Sequence, residues 1–304
     1  MKQLEGKVAL VAGATRGAGR GIACMLGAAG ATVYCTGRST RARQVQRAAA
    51  ADPFALEQRP ETIEETAEMV AGYGGVGLAV QVDHTVEAQV KALFERIKAE
   101  HGGLDLLVND VWGGDELTEW GVPFWELDLH KGFLMQQRAV HSHIVTSRYG
   151  VPLMLGRGGG LLIEITDGVD STYRRNLFYD LAKTAVIRLA FAMAEELRPH
   201  NIAALALTPG FLRSEAMLES FGVTEANWRD GAAKDPHFIA SETPYFVGRA
   251  VAALAGDPQV ARKSGGAYSS WDLSDEYGFS DIDGNRPHWG RYFAANFPVP
   301  DKQP

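Results

Sequence analysis

The sequence predicts a single-domain α/β protein in which helices flank a doubly wound parallel sheet. Short apolar runs of strand length recur along the 304 residues, and stretches with helical periodicity separate them. The runs are apolar on both faces, as expected of parallel strands, which are buried on both sides. Strands that alternate with helices build βαβ units. No internal repeat and no Pro- or Ser-rich linker divides the chain, which favours one domain over residues 1–304.

Each predicted element follows from its own local pattern. Six strands are predicted where β-branched and other apolar residues cluster, at residues 7–12, 31–36, 76–82, 104–109, 161–166 and 202–208. Helical patterns predict helices at residues 16–29, 62–71, 85–101, 131–155, 176–198 and 244–254. A short seventh strand is predicted at residues 266–269. Each of the first six strands is therefore followed by a helix, as parallel pairing requires.

Three segments do not fit this alternation. Residues 38–60 are rich in arginine, and prolines at positions 53 and 60 interrupt any continuous helix, so this segment is predicted to be a basic insertion. Residues 211–241 mix aromatic and charged side chains, which suggests a substrate lid, because long loops in compact domains are often functional. Residues 271–304, rich in Asp, Gly, Pro and aromatic residues, are predicted to form a C-terminal extension over the surface.

Composition and charge exclude several function classes. Apolar residues make up 46% and charged residues 22% of the chain, which is typical of a soluble globular protein. The 30 basic and 37 acidic side chains give a net charge of −7, which argues against a nucleic-acid partner. No apolar run reaches the roughly 18 residues that cross a bilayer, and the first residues lack the apolar core of a signal peptide. We therefore expect a cytoplasmic protein without a membrane partner.

No metal site is predicted. The two cysteines, Cys24 and Cys35, are too few for a disulfide framework and lack the spacing of zinc ligands. His141 and His143 lie two positions apart on a predicted helix, and hence on different faces. We interpret these four side chains as ordinary packing or surface residues.

A glycine-rich turn directly follows the first predicted strand. It contains Gly13, Gly17 and Gly19, with Arg16 between them, and a predicted helix follows. Glycines at such a turn let backbone N–H groups approach a pyrophosphate at the positive end of the helix. Glycine-rich turns also arise where a helix simply packs closely on a strand. The position after the first strand favours nucleotide binding in a Rossmann-like fold.

The end of the second strand indicates which dinucleotide would bind. Strands at this place end in Asp or Glu when they hold the ribose 2′-hydroxyl of NAD, whereas an Arg accommodates the 2′-phosphate of NADP. Here the strand ends at Arg38, and Arg16 supplies a second guanidinium that can converge on the same phosphate. NADP, as NADPH, is therefore favoured over NAD. The alternative is a pair of solvated surface arginines.

Tyr179 and Lys183 stand four residues apart on a predicted helix, and therefore on one face. The ammonium would favour the phenolate and lower the pKa of the phenol, which would make Tyr179 a usable proton donor near neutral pH. This spacing alone is weak evidence, because it occurs by chance on many exposed helices.

Together, and in this order along the chain, the motifs are stronger evidence of function than any one of them alone. The glycine turn at residues 13–19, Asn109 at the end of the fourth strand and the Tyr179–Lys183 pair after the fifth resemble the classical type of the short-chain dehydrogenase/reductase family. The resemblance extends from Lys7 to about Gly210. It implies a nicotinamide-dependent oxidoreductase that acts on a small molecule and forms a homodimer or homotetramer. Residues 124–126, the basic insertion and residues 281–284 are similar to a subgroup related to dehydrogenase/reductase member 1.

The resemblance also implies roles for individual residues. Asp83 would bind the adenine, Asn109 would position the backbone beside the cofactor, and Pro209–Gly210 would form the turn that flanks the nicotinamide. Tyr179 would donate the proton. Lys183 would tune the phenol and bind the nicotinamide ribose.

Two positions depart from the family pattern. The family usually has Ser after the fifth strand, where this chain has Asp167, and the helix that normally supplies an Asn has none, with Ala139 in the corresponding register. Serine donates a hydrogen bond to the substrate oxygen, whereas an ionised Asp only accepts and would raise the pKa of the tyrosine. A carboxyl kept protonated by its surroundings would still donate. Thr166 is adjacent, but side chains alternate along a strand, so it should point to the opposite face.

Two functions remain open at this point. The first is an NADPH-dependent oxidoreductase acting on a partly apolar small molecule, with Tyr179, Lys183 and Asp167 in its catalytic site. The alternative is a nucleotide-binding protein that has lost turnover and acts through its bound state or its partners. Loops expected at the carboxyl ends of the strands carry aromatic residues that suit an apolar pocket: Trp112, Trp120, Phe124, Trp125, Phe178, Phe211 and Phe221.

Overall fold

Seven parallel strands form one sheet in the described part of the chain. The computed structural model describes residues 2–43, 53–56, 59–170 and 172–297. The strands stand in the order β3-β2-β1-β4-β5-β6-β7, so the strand order reverses between β1 and β4. Their bounds are β1 Val8–Ala12, β2 Thr32–Gly37, β3 Val76–Gln81, β4 Leu106–Asn109, β5 Gly160–Ile165, β6 Ile202–Thr208 and β7 Ala267–Ser269. The predicted doubly wound parallel sheet, with its short seventh strand, is confirmed.

Helices cover both faces of the sheet. Their bounds are α1 Gly17–Ala28, α2 Ile63–Gly72, α3 Glu87–His101, α4 Leu129–Gln136, α5 Ser142–Arg157, α6 Leu177–Leu197, α7 Glu215–Phe221, α8 Pro244–Gly256, α9 Ser270–Tyr277 and α10 Trp289–Asn296. One core layer lies between the sheet and α1, α2 and α8, and the other between the sheet and α3, α5 and α6. No helix in the described ranges combines the length and apolar character needed to cross a membrane.

The strands differ in burial. β1 is buried along its whole length, since it pairs with β2 and β4 and helices cover both its faces. β3 lies at the edge of the sheet, and its residues are half-buried or exposed. The expectation that every strand is buried on both sides is therefore wrong for β3, because helices cover an edge strand incompletely.

The long helix predicted at residues 131–155 is divided. It forms α4 and α5, which a π-helical turn at Gln137–His141 joins. The Ser142 hydroxyl donates to the Arg138 carbonyl (2.5 Å), and the Thr146 hydroxyl donates to the Ser142 carbonyl (2.7 Å). Such side-chain bonds to helix carbonyls compete with the regular backbone ladder and bend helices. Turns of this kind are frequent at functional sites, and this one positions Ala139.

The segments outside the alternation lie at the rim of the sheet. Residues 44–52 and 57–58 of the predicted basic insertion are outside the described ranges. In the 211–241 segment, Phe211 packs edge-on against Phe238, with ring centroids 5.4 Å apart. The C-terminal extension reaches this segment, since the Trp289 ring lies 5.8 Å from Phe211. Asp281 of the extension accepts the Thr243 N–H (2.8 Å) at the start of α8.

Candidate active site

The predicted site residues come together at the carboxyl ends of β1, β4, β5 and β6. Gly13 follows β1, Asn109 ends β4, Asp167 follows β5 and Pro209 follows β6. Ligands of open α/β sheets bind in the crevice at this edge, where the strand order reverses. The first turn of α6 carries Tyr179 to the same place.

The glycine turn after β1 is packed so closely that it excludes side chains. Gly13 has a left-handed φ of +93°, and a Cβ there would lie 2.5 Å from the Asp110 carbonyl oxygen. A Cβ on Gly19 would lie 2.3 Å from the Gly13 carbonyl oxygen. The turn thus leaves bare backbone at the N-terminus of α1, which is the form that dinucleotide phosphates require.

A carboxylate stands at the N-terminus of α1. The cap residue Arg16 provides no side-chain hydrogen bond, and the first turn of the helix contains no acidic residue. Instead Glu215, at the start of α7, accepts the Gly17 N–H through Oε2 (2.8 Å), and its Oε1 lies 3.6 Å from the Arg20 guanidinium. Helix N-termini attract anions, so this carboxylate occupies the place where the sequence predicts a pyrophosphate. The residues present therefore fit an anionic ligand.

The two arginines predicted to share a phosphate have different partners. Arg16 donates through Nε to the Glu61 carboxylate (3.1 Å) and through Nη2 to the Ser39 hydroxyl (3.3 Å). Arg38 is exposed, and the acid that its charge influences is Asp83. Arg16 is thus engaged by the buried Glu61, whereas the Arg38 side chain is exposed to solvent. A 2′-phosphate would compete with Glu61 for the Arg16 guanidinium.

Asp83 follows β3 and lies in a groove. Its Oδ1 accepts from the Thr85 N–H (2.9 Å) and from the Thr85 hydroxyl (2.6 Å). Burial opposes ionisation, but these hydrogen bonds and the charge of Arg38 outweigh it and hold the pKa of Asp83 below its ordinary value. The groove has a volume of about 450 Å³, and Arg38 and Gln81 also line it. Gln89, Ala92, Leu93 and Arg96 of α3 line the same groove, so it lies between the edge strand β3 and α3, with Arg38 and Asp83 as its cation and acceptor.

The Tyr179 hydroxyl donates to Asp167 Oδ2 over 2.9 Å. The cap residue Asn176 fixes the start of α6, because its side chain accepts the Tyr179 N–H (3.1 Å) and donates to the Glu119 carbonyl (3.0 Å). Asp167, the second residue after β5, is exposed. Phenol and carboxylate therefore form a pair at the mouth of the crevice.

Burial and the neighbouring Asp167 carboxylate raise the pKa of Tyr179 well above its usual value. The expectation that the pKa of Tyr179 is lowered is wrong, although the Lys183 ammonium lies 5.4 Å from the Tyr179 ring centroid. The Lys183 ammonium lies over the Trp112 ring, 3.9 Å from its centroid, and the hydrogen bond to Asp167 favours the protonated phenol. Burial lowers the pKa of Lys183 itself, although Asp167 and Asp115 partly oppose this effect. The phenol thus keeps its proton over the ordinary pH range.

Asn109 belongs to a buried polar network behind the crevice. Its Nδ2 donates to Glu164 Oε1 (2.7 Å) and to the Ser147 hydroxyl (2.9 Å). His143 contacts Glu164 Oε2 through Nδ1 (2.5 Å) and the Val111 carbonyl through Nε2 (3.0 Å). A carbonyl only accepts, so the contact with Val111 makes Nε2 a donor nitrogen. The network holds β4, β5 and α5 together beside the glycine turn.

The turn after β6 is tied to the turn after β5. The Thr208 hydroxyl donates to the Pro209 carbonyl (2.9 Å) and accepts the Gly168 N–H (2.9 Å). The Gly210 N–H donates to Glu242 Oε2 (2.9 Å), and burial raises the pKa of Glu242 to about 8. These bonds fix the backbone of both turns at one wall of the crevice.

Comparisons with known proteins agree with this geometry. The family model described as short chain dehydrogenase matches residues 42–223. Over 286 residues the chain is 35% identical to Dehydrogenase/reductase SDR family member 1 of Mus musculus, covering 92% of this chain and 85% of that protein. The chain belongs to the short-chain dehydrogenase/reductase family. The Homo sapiens protein of the same name is 33% identical with the same coverage, and the predicted relation to this subgroup is confirmed.

Solved structures of family members share the fold. L-Sorbose reductase from Gluconobacter frateurii, solved with NADPH and L-sorbose, has a TM-score of 0.71 at 21% identity, covering 94% of this chain and 98% of that one. Hydroxysteroid dehydrogenase from Escherichia coli has a TM-score of 0.65 at 25% identity, covering 88% and 95%. The Rossmann-like prediction is therefore confirmed. Short-chain dehydrogenases/reductases are oxidoreductases that use nicotinamide dinucleotides.

This short-chain dehydrogenase/reductase departs from its family at Asp167 and Ala139, and in the described part of the chain no neighbouring side chain replaces the missing hydrogen-bond donor at either position. The Thr166 hydroxyl faces α6, where it donates to the Lys183 carbonyl (2.8 Å). Ala139 is buried in the wall of a small cavity that Lys183 and Trp112 also line, and its methyl group donates nothing. Asp167 therefore stands next to Tyr179 without a neutral hydroxyl or amide donor from either position.

Sequence reasoning missed Arg174 and Glu215. Arg174 donates through Nε to the Asp167 carbonyl (2.6 Å) and through Nη1 to the Asp180 carboxylate (3.1 Å), which ties the turn after β5 to α6. No local pattern marks this arginine. Glu215 lies five residues after the turn that follows β6. An acidic residue so close to this turn is the sequence signal that could have identified it as part of the site. Within the described ranges, no group of three or more His, Cys, Asp or Glu side chains is arranged to hold a metal ion.

Proposed function

We propose that this chain is an NADP-dependent short-chain oxidoreductase that acts on a partly apolar small molecule. Its reaction in the family's terms is the reduction of a carbonyl or the oxidation of an alcohol. The observation that supports this most is the placement of Tyr179, whose hydroxyl lies 2.9 Å from Asp167 at the carboxyl ends of the strands, one helical turn before Lys183. A proton donor is thereby held in the crevice where the glycine turn also ends.

The residues proposed to hold the dinucleotide lie on the turns and strand ends around this crevice and on α6. They are Gly13, Arg16, Gly17, Gly19, Arg38, Asp83, Asn109, Lys183, Pro209 and Gly210. When bound, the cofactor supplies a hydride to the substrate. The bare backbone of the glycine turn supports this assignment, and the Glu215 carboxylate would have to leave the Gly17 N–H for a pyrophosphate to bind there.

Each of the three side chains of the proposed catalytic site has a separate role in the reaction. Tyr179 keeps its proton until a strongly basic oxygen forms on the substrate, since its pKa is raised. Lys183 places a cation beside the Trp112 ring, within reach of a ribose hydroxyl in this proposal. Asp167 accepts the phenol hydrogen bond, so the phenol must turn from the carboxylate to reach the substrate.

We expect NADPH to bind about 10- to 100-fold more tightly than NADH, because each charged hydrogen bond to the 2′-phosphate contributes roughly 1.5–3 kcal/mol. Arg38→Ala should remove most of this difference, while Arg41→Ala, which removes an exposed arginine paired with Glu68, should leave it. Titration by nicotinamide fluorescence measures the affinities of the parent and both variants for each nucleotide, six values in all. Equal affinities for the two nucleotides, or no effect of Arg38→Ala, would contradict the proposed preference.

We further expect Glu215→Gln to tighten NADPH binding about two- to fivefold. The substitution removes a negative charge from the N-terminus of α1, where it competes with a pyrophosphate. Glu65→Gln is the matched control, since Glu65 also pairs with Arg20 (2.7 Å) but accepts no hydrogen bond from Gly17. The same fluorescence titration applies. Weaker binding by the Glu215 variant would mean that this carboxylate assists the cofactor.

The alternative function is a nucleotide-binding protein without turnover. Asp167 and Ala139 favour this alternative, because neither side chain supplies the neutral hydrogen-bond donor, Ser or Asn, that the family usually has at its position. Nucleotide binding without turnover on any ketone, aldehyde or alcohol of a broad panel would support this alternative. The family resemblance also leads us to propose a homodimer or homotetramer, and the sequence leads us to propose a cytoplasmic location.

A further inference from the structure

We propose that the substrate carries a cationic nitrogen at the reacting carbon, so that the natural reaction interconverts an amine and an iminium ion. The inference rests on the proposed function, because it takes the crevice at Tyr179 as the site of hydride transfer. It narrows the substrate to a chemical class that the Asp167 carboxylate recognises.

The Asp167 carboxylate is available to a substrate. Its Oδ2 accepts the Tyr179 hydroxyl, and within the described ranges its Oδ1 accepts no hydrogen bond. Arg174 bonds to the backbone carbonyl of Asp167 through Nε and pairs with Asp180 through Nη1, and the Lys183 ammonium interacts with the Asp167 carboxylate through its charge alone. An exposed carboxylate with a free oxygen therefore faces the reacting centre.

Aromatic rings surround the same place. The rings of Trp112 and Trp120 each lie 5.2 Å from the Tyr179 ring, measured between centroids. Lys183 lies over the Trp112 face, 3.9 Å from the ring centroid, and Asp167 is the largest charge that favours its ammonium form against the effect of burial. The Trp120 side chain is 59% exposed and so offers a second aromatic surface. A carboxylate next to an exposed indole suits a partly apolar cation.

The charge that develops in the reaction separates the two substrate classes. A carbonyl oxygen gains negative charge as a hydride arrives, and an adjacent carboxylate that only accepts hydrogen bonds opposes this. An iminium ion loses positive charge instead. In the reverse direction, an amine that gives up a hydride gains positive charge, which Asp167 stabilises. The Asp167 carboxylate therefore favours interconversion of an amine and an iminium ion, and it disfavours interconversion of an alcohol and a carbonyl compound.

The electrons and protons of the C–N reaction balance without a proton donor. The hydride from the reduced nicotinamide forms the new C–H bond, and the C=N electron pair moves to nitrogen as the lone pair of a neutral amine. A permanently charged iminium therefore needs no proton from Tyr179. This separates it from a ketone, whose oxygen must receive one.

The first test measures binding without any cofactor. N-Methyl-tetrahydroisoquinoline, protonated at neutral pH, is titrated by calorimetry against the parent protein, Asp167→Asn and the control Asp170→Asn, with α-tetralol as the neutral probe. Asp167→Asn should weaken binding of the amine about 10- to 100-fold more than binding of α-tetralol. Asp170→Asn should change neither. Equal amine binding by the parent and Asp167→Asn would overturn the inference.

The second test compares reduction of N-methyl-dihydroisoquinolinium and α-tetralone by NADPH. The parent should prefer the iminium, Asp167→Ser should reverse the preference, and Tyr179→Phe should slow reduction of α-tetralone far more than reduction of the iminium. If α-tetralone is reduced at least as fast as the iminium by the parent, the inference is wrong and the proposed oxidoreductase function stands. If NADPH does not bind and neither compound is reduced, the proposed function fails and the inference fails with it.

Discussion

Ketone reduction by the Tyr179→Phe variant is expected to be about 10²- to 10⁴-fold slower than by the parent protein, the usual value of general acid catalysis. The substitution removes the hydroxyl that lies 2.9 Å from Asp167 and keeps the ring that packs against Trp112 and Trp120. NADPH binding should therefore change little. Steady-state turnover on a ketone that the parent reduces, together with a fluorescence titration of NADPH, measures both quantities.

Tyr173→Phe is the matched control for this experiment. Tyr173 is exposed in the segment before α6 and is not part of the proposed catalytic site. It should retain parental turnover. A Tyr179→Phe variant with near-normal ketone reduction would show that the proton comes from another group.

Asp167→Ser is expected to raise ketone reduction, by about 10- to 100-fold near neutral pH. Serine supplies the neutral donor that the substrate oxygen needs as it gains negative charge, and removal of the carboxylate removes its repulsion. Arg174 should still hold the turn, because it bonds to the backbone carbonyl of residue 167. Turnover on a panel of ketones and aldehydes, measured for the parent and the variant, decides the sign of the effect.

The pH dependence of alcohol oxidation should shift in the same variant. Oxidation needs the phenolate of Tyr179 as the base, so its rate rises with pH through the pKa of Tyr179. Burial and Asp167 raise that pKa, and loss of the carboxylate therefore moves the rising limb to lower pH. A serine variant that is slower than the parent at every pH, on ketones and alcohols alike, would instead make Asp167 a catalytic residue in its own right.

Much of the fold was predictable because its determinants are local. Each predicted strand has a counterpart in the sheet, and Ile202–Thr208 has the predicted bounds. The π-helical turn at Gln137–His141 was not predicted, because the bonds of Ser142 and Thr146 to helix carbonyls leave no trace in the apolar periodicity. The partial exposure of β3 was missed for a different reason, since edge position depends on the order of all strands.

The candidate site was predictable where motifs have a fixed place on consecutive elements. The glycine turn and the Tyr179–Lys183 pair lie where the order of strands and helices puts them. Interactions between distant segments were not predictable. Glu61 reaches Arg16, and Glu215 reaches the Gly17 N–H, only through the folded chain.

The direction of the Tyr179 pKa shift was also not predictable from the sequence, because it depends on interactions between distant segments. A helical spacing of four residues predicts that Lys183 lies near Tyr179, as it does, but it does not predict the burial of the phenol or its hydrogen bond to Asp167. The dominant influences, burial and Asp167, come from packing and from the turn after β5. The sequence identified Asp167 as the departure from the family, and the structure adds the 2.9 Å hydrogen bond that gives this departure its chemical meaning.

A crystal structure of the protein with NADP⁺ tests the central claim most directly. We predict pyrophosphate density at the Gly17 N–H in place of the Glu215 carboxylate, the 2′-phosphate at Arg38, and the nicotinamide beside the Asp167–Tyr179 pair. Absence of nucleotide density from crystals grown at saturating NADP⁺, or a nicotinamide remote from Tyr179, would contradict the account.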